Sequence, residues 1–160
     1  MELRWHPLLK EWIIISPRRK RRFTQKNPFS SKSPEMIGKT PPVILPNLYP
    51  NFTLDTCEIP KPSFYENSMA YGTSDVLVET DEESSDFDEY DSNKISNILS
   101  LIQTRMKELE KDDKIKYVFV FKNKGKEVGS SISHPHMQIY GMPFVPSVVK
   151  KQLASSRDYF

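Results

Sequence analysis

Between Phe119 and Tyr140 the chain changes character twice: an apolar run, then a glycine–serine loop, then an alternating segment with two histidines and a glutamine. That order restricts the local fold to strand, loop, strand. Tyr117-Val118-Phe119-Val120-Phe121 is β-branched and aromatic throughout, as a strand requires. If His134 to Tyr140 is extended as well, successive side chains point to opposite faces. His134, His136, Gln138 and Tyr140 then share one face, and Pro135, Met137 and Ile139 the other. The polar face offers imidazoles, an amide and a phenol, all able to contact a phosphate or attack one. The loop supplies backbone N–H groups at Gly125, Gly129, Ser130 and Ser131, where glycine lets the chain approach an anion closely. An imidazole beside a phosphate cradle points to nucleophilic catalysis at phosphorus. A lone His-x-His on a strand is more often structural, or an accidental metal pair. The loop upstream and the glutamine downstream favour the catalytic reading.

Asn123-Lys-Gly125-x-x-x-Gly129-x-Ser131-x-x-His134-Pro135-His136-x-Gln138 resembles the active-site signature of galactose-1-phosphate uridylyltransferases, a branch of the histidine-triad superfamily. The resemblance implies an α+β fold: a histidine-triad-like antiparallel sheet, one main packed helix and a long proline-rich loop. Residues 1–160 are expected to form a single domain corresponding to the N-terminal half of such an enzyme. Full-length members have roughly twice this length and two similar halves. Each of their active sites also borrows residues from the second half of the neighbouring subunit. A homodimer, or a separate polypeptide supplying the second half, is therefore expected as partner.

The N-terminal segment carries the same resemblance. Arg4 to Ile15 reads as a β-hairpin entered through a turn bearing Pro7. Arg4-x-x-Pro7-x-x-x-Glu11-Trp12-x-x-x-Ser16-Pro17-x-Arg19-x-x-Arg22 is similar to the start of the uridylyltransferases. There, the arginines matching Arg19 and Arg22 lie near the substrate phosphates, a task that suits guanidinium forks. The five consecutive cations from Arg18 to Arg22 also admit a blander reading as a solvated run, or as a nucleic-acid or localisation patch.

From Asn27 to Pro62 the chain is rich in proline and lacks periodicity, so a long ordered loop wrapping the sheet is expected. Within it, Val43 to Pro50 resembles the family's segment that closes over the uridine. Asn47 matches a nucleotide-contacting Asn and Tyr49 the aromatic beside it. Leu48 departs from an acidic residue that holds ribose hydroxyls. Many members also carry zinc, bound by a Cys-x-x-Cys, a downstream His and the first His of His-Pro-His. Zinc requires four such ligands in a tetrahedron. No Cys pair lies between Arg22 and Asn47, and the other His position falls near Glu83. No metal and no cofactor are expected. His134 is instead given a structural duty, its backbone carbonyl orienting the ring of His136.

Tyr71 to Thr80 reads as a strand and the acidic run through Asp91 as an exposed loop. Ile95, Ile98, Leu99, Ile102, Met106 and Leu109 recur at helical spacing behind a cap at Asp91 or Ser92, and that stripe is read as core. A short polar, helical tail is expected after Pro146. Lys plus Arg number 23 against 21 Asp plus Glu, which gives no argument for nucleic acid. Cys57, the one cysteine, excludes an internal disulfide framework. No apolar run approaches membrane-spanning length and no signal-peptide pattern opens the sequence, so the expectation by elimination is a cytoplasmic protein without membrane contact.

The resemblance implies a mechanism. His136 attacks the α-phosphorus of a nucleotide sugar, a nucleotidyl-histidine forms, and a sugar phosphate takes the nucleotide in a second step. Gln138 donates to the nonbridging oxygens. Hydrolases of the superfamily have a third His there. A glutamine cannot protonate a leaving group, and a departing sugar phosphate does not need protonation. UMP exchange between UDP-glucose and galactose 1-phosphate is the leading expectation. The alternatives are a phosphorylase of nucleotide sugars or dinucleoside polyphosphates, and a non-catalytic half-length subunit.

Overall fold

In a computed structural model, the structure describes residues 1–16, 27–55, 64–125, 127–128 and 132–159. Arg19, Arg22, Gly129, Ser130 and Ser131 lie outside the described residues.

The N-terminal hairpin forms as expected. β1 (Glu2–His6) pairs antiparallel with β2 (Glu11–Ile15), Trp5 opposite Trp12. A later strand, β4 (Asn67–Met69), joins the other side of β1 and completes a three-stranded sheet. The second sheet has four strands in the order β3-β5-β7-β6, all antiparallel. Its members are β3 (Val43–Pro46), β5 (Thr73–Val78), β6 (Tyr117–Phe121) and β7 (His136–Met142). The fold is α+β, but the hairpin belongs to a sheet of its own. The proline-rich segment is likewise not loop throughout: Val43, Ile44 and Leu45 pair with Val78, Leu77 and Val76 of β5. Pro46 closes that strand at the sheet edge, where its missing N–H costs nothing.

Helix α1 (Ser92–Leu109) starts where the periodicity places it, with the Asp91 side chain accepting from the Lys94 N–H at 2.7 Å. Ile98, Ile102 and Leu109 are buried with Leu77 and Ile139, and Met137, Val118 and Val120 pack against them. Leu99 corrects the expected stripe, since it is 54% exposed. At 100° per residue it falls beside Ile98, past the edge of the buried face. The acidic run is not wholly exposed either. Tyr90 is buried within it, and a 3₁₀ turn over Phe87–Glu89 precedes the helix. Helix α2 (Ser147–Tyr159) follows β7 and buries no residue.

The other face of the four-stranded sheet has two covers. Phe29 and Met36 of the proline-rich segment lie on Leu45, Val76 and Val78. The three-stranded sheet, through Leu3, Trp12 and Ile14, packs with Phe52 around Tyr140 and Met142. One contact fixes how β5 enters this arrangement. Gly72 has φ +138, and a Cβ there would lie 2.0 Å from the Gly141 carbonyl oxygen, so no other residue fits. The face of β7 bearing His136, Gln138 and Tyr140 is thus roofed by polypeptide on both sides.

Candidate functional site

The strand β7 begins at His136, so His134 stands just before it. Val78 is opposite His136 and Val76 opposite Gln138, while Phe121 of β6 faces Gln138 from the other neighbour. Met137 and Ile139 pack toward α1, which confirms the expected alternation of faces. The roof over the histidines is Phe29, whose ring centroid lies 6.0 Å from that of His134 and 5.1 Å from that of His136.

His136 Nδ1 lies 2.7 Å from the backbone carbonyl oxygen of His134. A carbonyl only accepts, so Nδ1 carries the proton and Nε2 carries the lone pair. Burial lowers the His136 pKa; the His134 carbonyl and the Glu79 charge push it upward, and Lys122 and His134 reinforce the lowering. The net result is a ring whose neutral form is favoured, with the Nε2 lone pair directed away from the backbone.

Gln138 is oriented by a chain of bonds along the same face. Asn51 Nδ2 donates to Tyr140 Oη at 2.8 Å, and Tyr140 Oη donates to Gln138 Oε1 at 2.8 Å. The amide oxygen is thereby taken and the Nε2 end is presented as donor. Tyr140 was legible as a neighbour on this face. Asn51, eighty-nine residues away in sequence, was not.

His134 is 1% exposed, with both ring nitrogens engaged. Nε2 lies 2.7 Å from the Thr80 carbonyl oxygen, and Nδ1 lies 3.0 Å from Asn27 Nδ2. Asn27 Nδ2 also donates to Glu83 Oε1 at 2.6 Å. Glu83, expected near this position, is therefore one residue removed from His134. Among the described residues, no group of three or more His, Cys, Asp or Glu is placed to hold a metal ion.

A charged cluster lies at the loop end of the sheet. Glu79, fully buried at the end of β5, accepts from Lys122 Nζ at 2.7 Å and from Tyr90 Oη at 3.1 Å. Lys122 Nζ also bonds Asp86 at 2.6 Å, and Lys124 pairs with the other Asp86 oxygen. These lysines flank Asn123, which is half-buried, so the start of the glycine–serine loop is tied to the end of β5 through Lys122 and to Asp86 through both lysines. The Asn47 side chain accepts from the Tyr49 N–H at 2.9 Å, a local turn, while its own N–H bonds the Ser74 carbonyl of β5. Leu48 between them is 54% exposed.

Residues 64–145, the span holding β5, α1, β6, the loop and both histidines, match the family described as "Domain of unknown function (DUF4931) N-terminal domain". The chain belongs to that family. Over its whole length it is 30% identical to the protein named galactose-1-phosphate uridylyltransferase of Thermotoga maritima, covering 52% of that protein. It is also 30% identical to the ADP-glucose phosphorylase of Arabidopsis thaliana, with 99% of this chain and 53% of that protein aligned. A solved structure described as a uridylyltransferase mutant superposes with a TM-score of 0.88 at 34% identity, covering 99% of this chain and 50% of that one. The chain spans about half the length of these relatives.

Proposed function

We propose that this chain is the nucleophile-bearing half of a nucleotidyltransferase that exchanges UMP between UDP-glucose and galactose 1-phosphate. The observation that carries the reading is the pairing of His136 Nδ1 with the His134 carbonyl, which leaves Nε2 as the lone-pair nitrogen of a half-buried ring on the face shared with Gln138. In the first step Nε2 forms a bond to the α-phosphorus, and the bond to the bridging oxygen breaks. Glucose 1-phosphate leaves with that electron pair as a stable anion. The ring gains positive charge as Nε2 bonds phosphorus, and the Nδ1–H bond to the carbonyl strengthens with it. That is stabilisation of the transition state over the ground state. Gln138 Nε2 donates to the nonbridging oxygens. In the second step a phosphate oxygen of galactose 1-phosphate displaces His136.

A second reading has its own support. The phosphorylase relative has the same 30% sequence identity as the uridylyltransferase, and exposed Leu48 offers nothing to ribose hydroxyls. In that case inorganic phosphate is the acceptor and the base need not be uracil. Incubation with UDP-glucose or ADP-glucose, followed by mass spectrometry, tests both readings. One acid-labile nucleotide at His136, absent in His136→Asn and reduced less in His134→Asn, is the expected result. The nucleotide retained and the acceptor that releases it, galactose 1-phosphate or inorganic phosphate, separate the two. An adduct that survives His136→Asn overturns both.

A further inference from the structure

The hydrogen bonds around His134 select one tautomer of its neutral ring. The Thr80 carbonyl can only accept, so Nε2 bears hydrogen. The Asn27 amide cannot be turned end for end, because its Oδ1 accepts the Phe29 N–H at 3.0 Å. Its NH₂ group therefore faces both His134 Nδ1 and Glu83 Oε1, one hydrogen to each. Every polar atom of the amide has a partner of the right kind.

Zinc does not fit this set. A metal would need the His134 Nδ1 lone pair at about 2.0–2.1 Å and thiolate or imidazole ligands beside it. Here an amide nitrogen stands between Nδ1 and the Glu83 carboxylate, at 3.0 and 2.6 Å. It bridges an acceptor nitrogen and an acceptor oxygen with two N–H bonds, where a metal would bridge them with two coordinate bonds.

We propose that Asn27 and Glu83 form a metal-free clamp that fixes His134 as its Nε2–H tautomer and thereby positions the nucleophile His136. The coupling runs along two routes. The His134 carbonyl that receives the His136 Nδ1–H is held in place by its own clamped ring. Phe29, whose N–H is tied to Asn27, lays its ring against both imidazoles. Asn27 and Glu83 act through His134 rather than on His136 directly, so both are positioning residues. Only the kinetic arm of the test rests on the function proposed above.

The test combines ¹⁵N-histidine NMR, which reads which ring nitrogen is protonated, with single-turnover nucleotidylation by UDP-glucose and with elemental analysis. The full chain, purified without supplement, should show well under one zinc per chain. Its His134 should carry hydrogen on Nε2 alone, unchanged by added zinc or by chelator. Asn27→Asp cannot donate to Nδ1, so the tautomer signature should change and adduct formation should slow about 10- to 100-fold, as when a supporting partner of a ligating histidine is lost. Glu83→Ala should do the same more mildly, and Glu83→Gln, whose amide oxygen still accepts, should recover most of that loss. If Asn27→Asp does not fold, the Glu83 pair carries the test. Stoichiometric zinc retained through chelation, an unchanged tautomer in Asn27→Asp, or no recovery in Glu83→Gln overturns the clamp. Absence of any adduct in the unsubstituted chain defeats the proposed function instead, and the NMR arm still decides the clamp.

Discussion

Tyr140 Oη donates to Gln138 Oε1 at 2.8 Å, from two residues further along the same strand and the same face. Because Asn51 already donates to that hydroxyl, its single proton has one destination, and the glutamine amide cannot reverse. Tyr140→Phe should keep the ring in its edge-on contacts with Phe52 and Phe121, at 5.7 and 5.1 Å. The amide of Gln138 then loses its orientation. The expected outcome is a fall in kcat of about tenfold, the loss of roughly 1.4 kcal/mol of transition-state stabilisation, with KM little changed. A raised KM at constant kcat would show instead that Gln138 serves ground-state binding.

The state of His136 predicts a pH profile. Burial holds its pKa below the ordinary imidazole value of about 6.5, so the ring is neutral throughout the neutral range. Nucleotidylation should be flat near pH 7 and fall only on the acid side of that ordinary value. The sign for stability is the same. With the folded pKa depressed, this group's contribution is present above the unfolded pKa and is lost as pH falls toward the folded one. Glu79 pushes the His136 pKa upward, so Glu79→Gln should move the kinetic inflection further toward acid. A shift toward base would contradict that electrostatic coupling.

Lys122 carries the clearest stability prediction. Its ammonium bridges Glu79 and Asp86, and Glu79 is wholly buried, with Oε1 lacking a hydrogen-bond partner among the described residues. Lys122→Met leaves that carboxylate without its cation in a dry site. A cost of about 3–5 kcal/mol is expected from urea unfolding, as for one half of a buried ion pair. Adding Glu79→Gln should return most of it. Additive losses in the double variant would rule out the pairing as the source.

Much of this site was legible because local chemistry dictated it. The alternation of His136, Gln138 and Tyr140 against Met137 and Ile139 fixes two faces whatever surrounds them, and the Asp91 cap follows from the residues beside it. What escaped was long-range. Nothing near Asn51 shows that it will reach Tyr140, and nothing near Asn27 shows that it will sit between His134 and Glu83. Those contacts arise when the proline-rich segment folds back over the sheet. A strand at Val43–Pro46 was hidden for the same reason: its prolines read as loop, and only its edge position makes Pro46 tolerable. The missed elements are all partners of other elements, whereas the recognised ones are self-consistent within a few residues.

The last prediction concerns assembly. In the four-stranded sheet β6 is an edge, and its central Phe119 is 42% exposed. Helix α2 adds Val148 and Leu153, more than half exposed, on an element that buries none of its own residues. A β edge unpaired among the described residues, and an apolar helix face, are each surfaces that seek cover. The relatives named above are about twice as long, so a cover of about this chain's own size is expected. The 160-residue chain should therefore associate, either with itself or with a separately expressed second half, and should turn over galactose 1-phosphate weakly when alone. Sedimentation velocity at micromolar concentration, run with a Phe119→Lys variant, is the measurement. The unsubstituted chain should sediment above monomer mass and the variant as a monomer with native secondary structure. A clean monomer with full turnover would mean that the nucleophile-bearing half closes its own site, and the exposed edge would need another explanation.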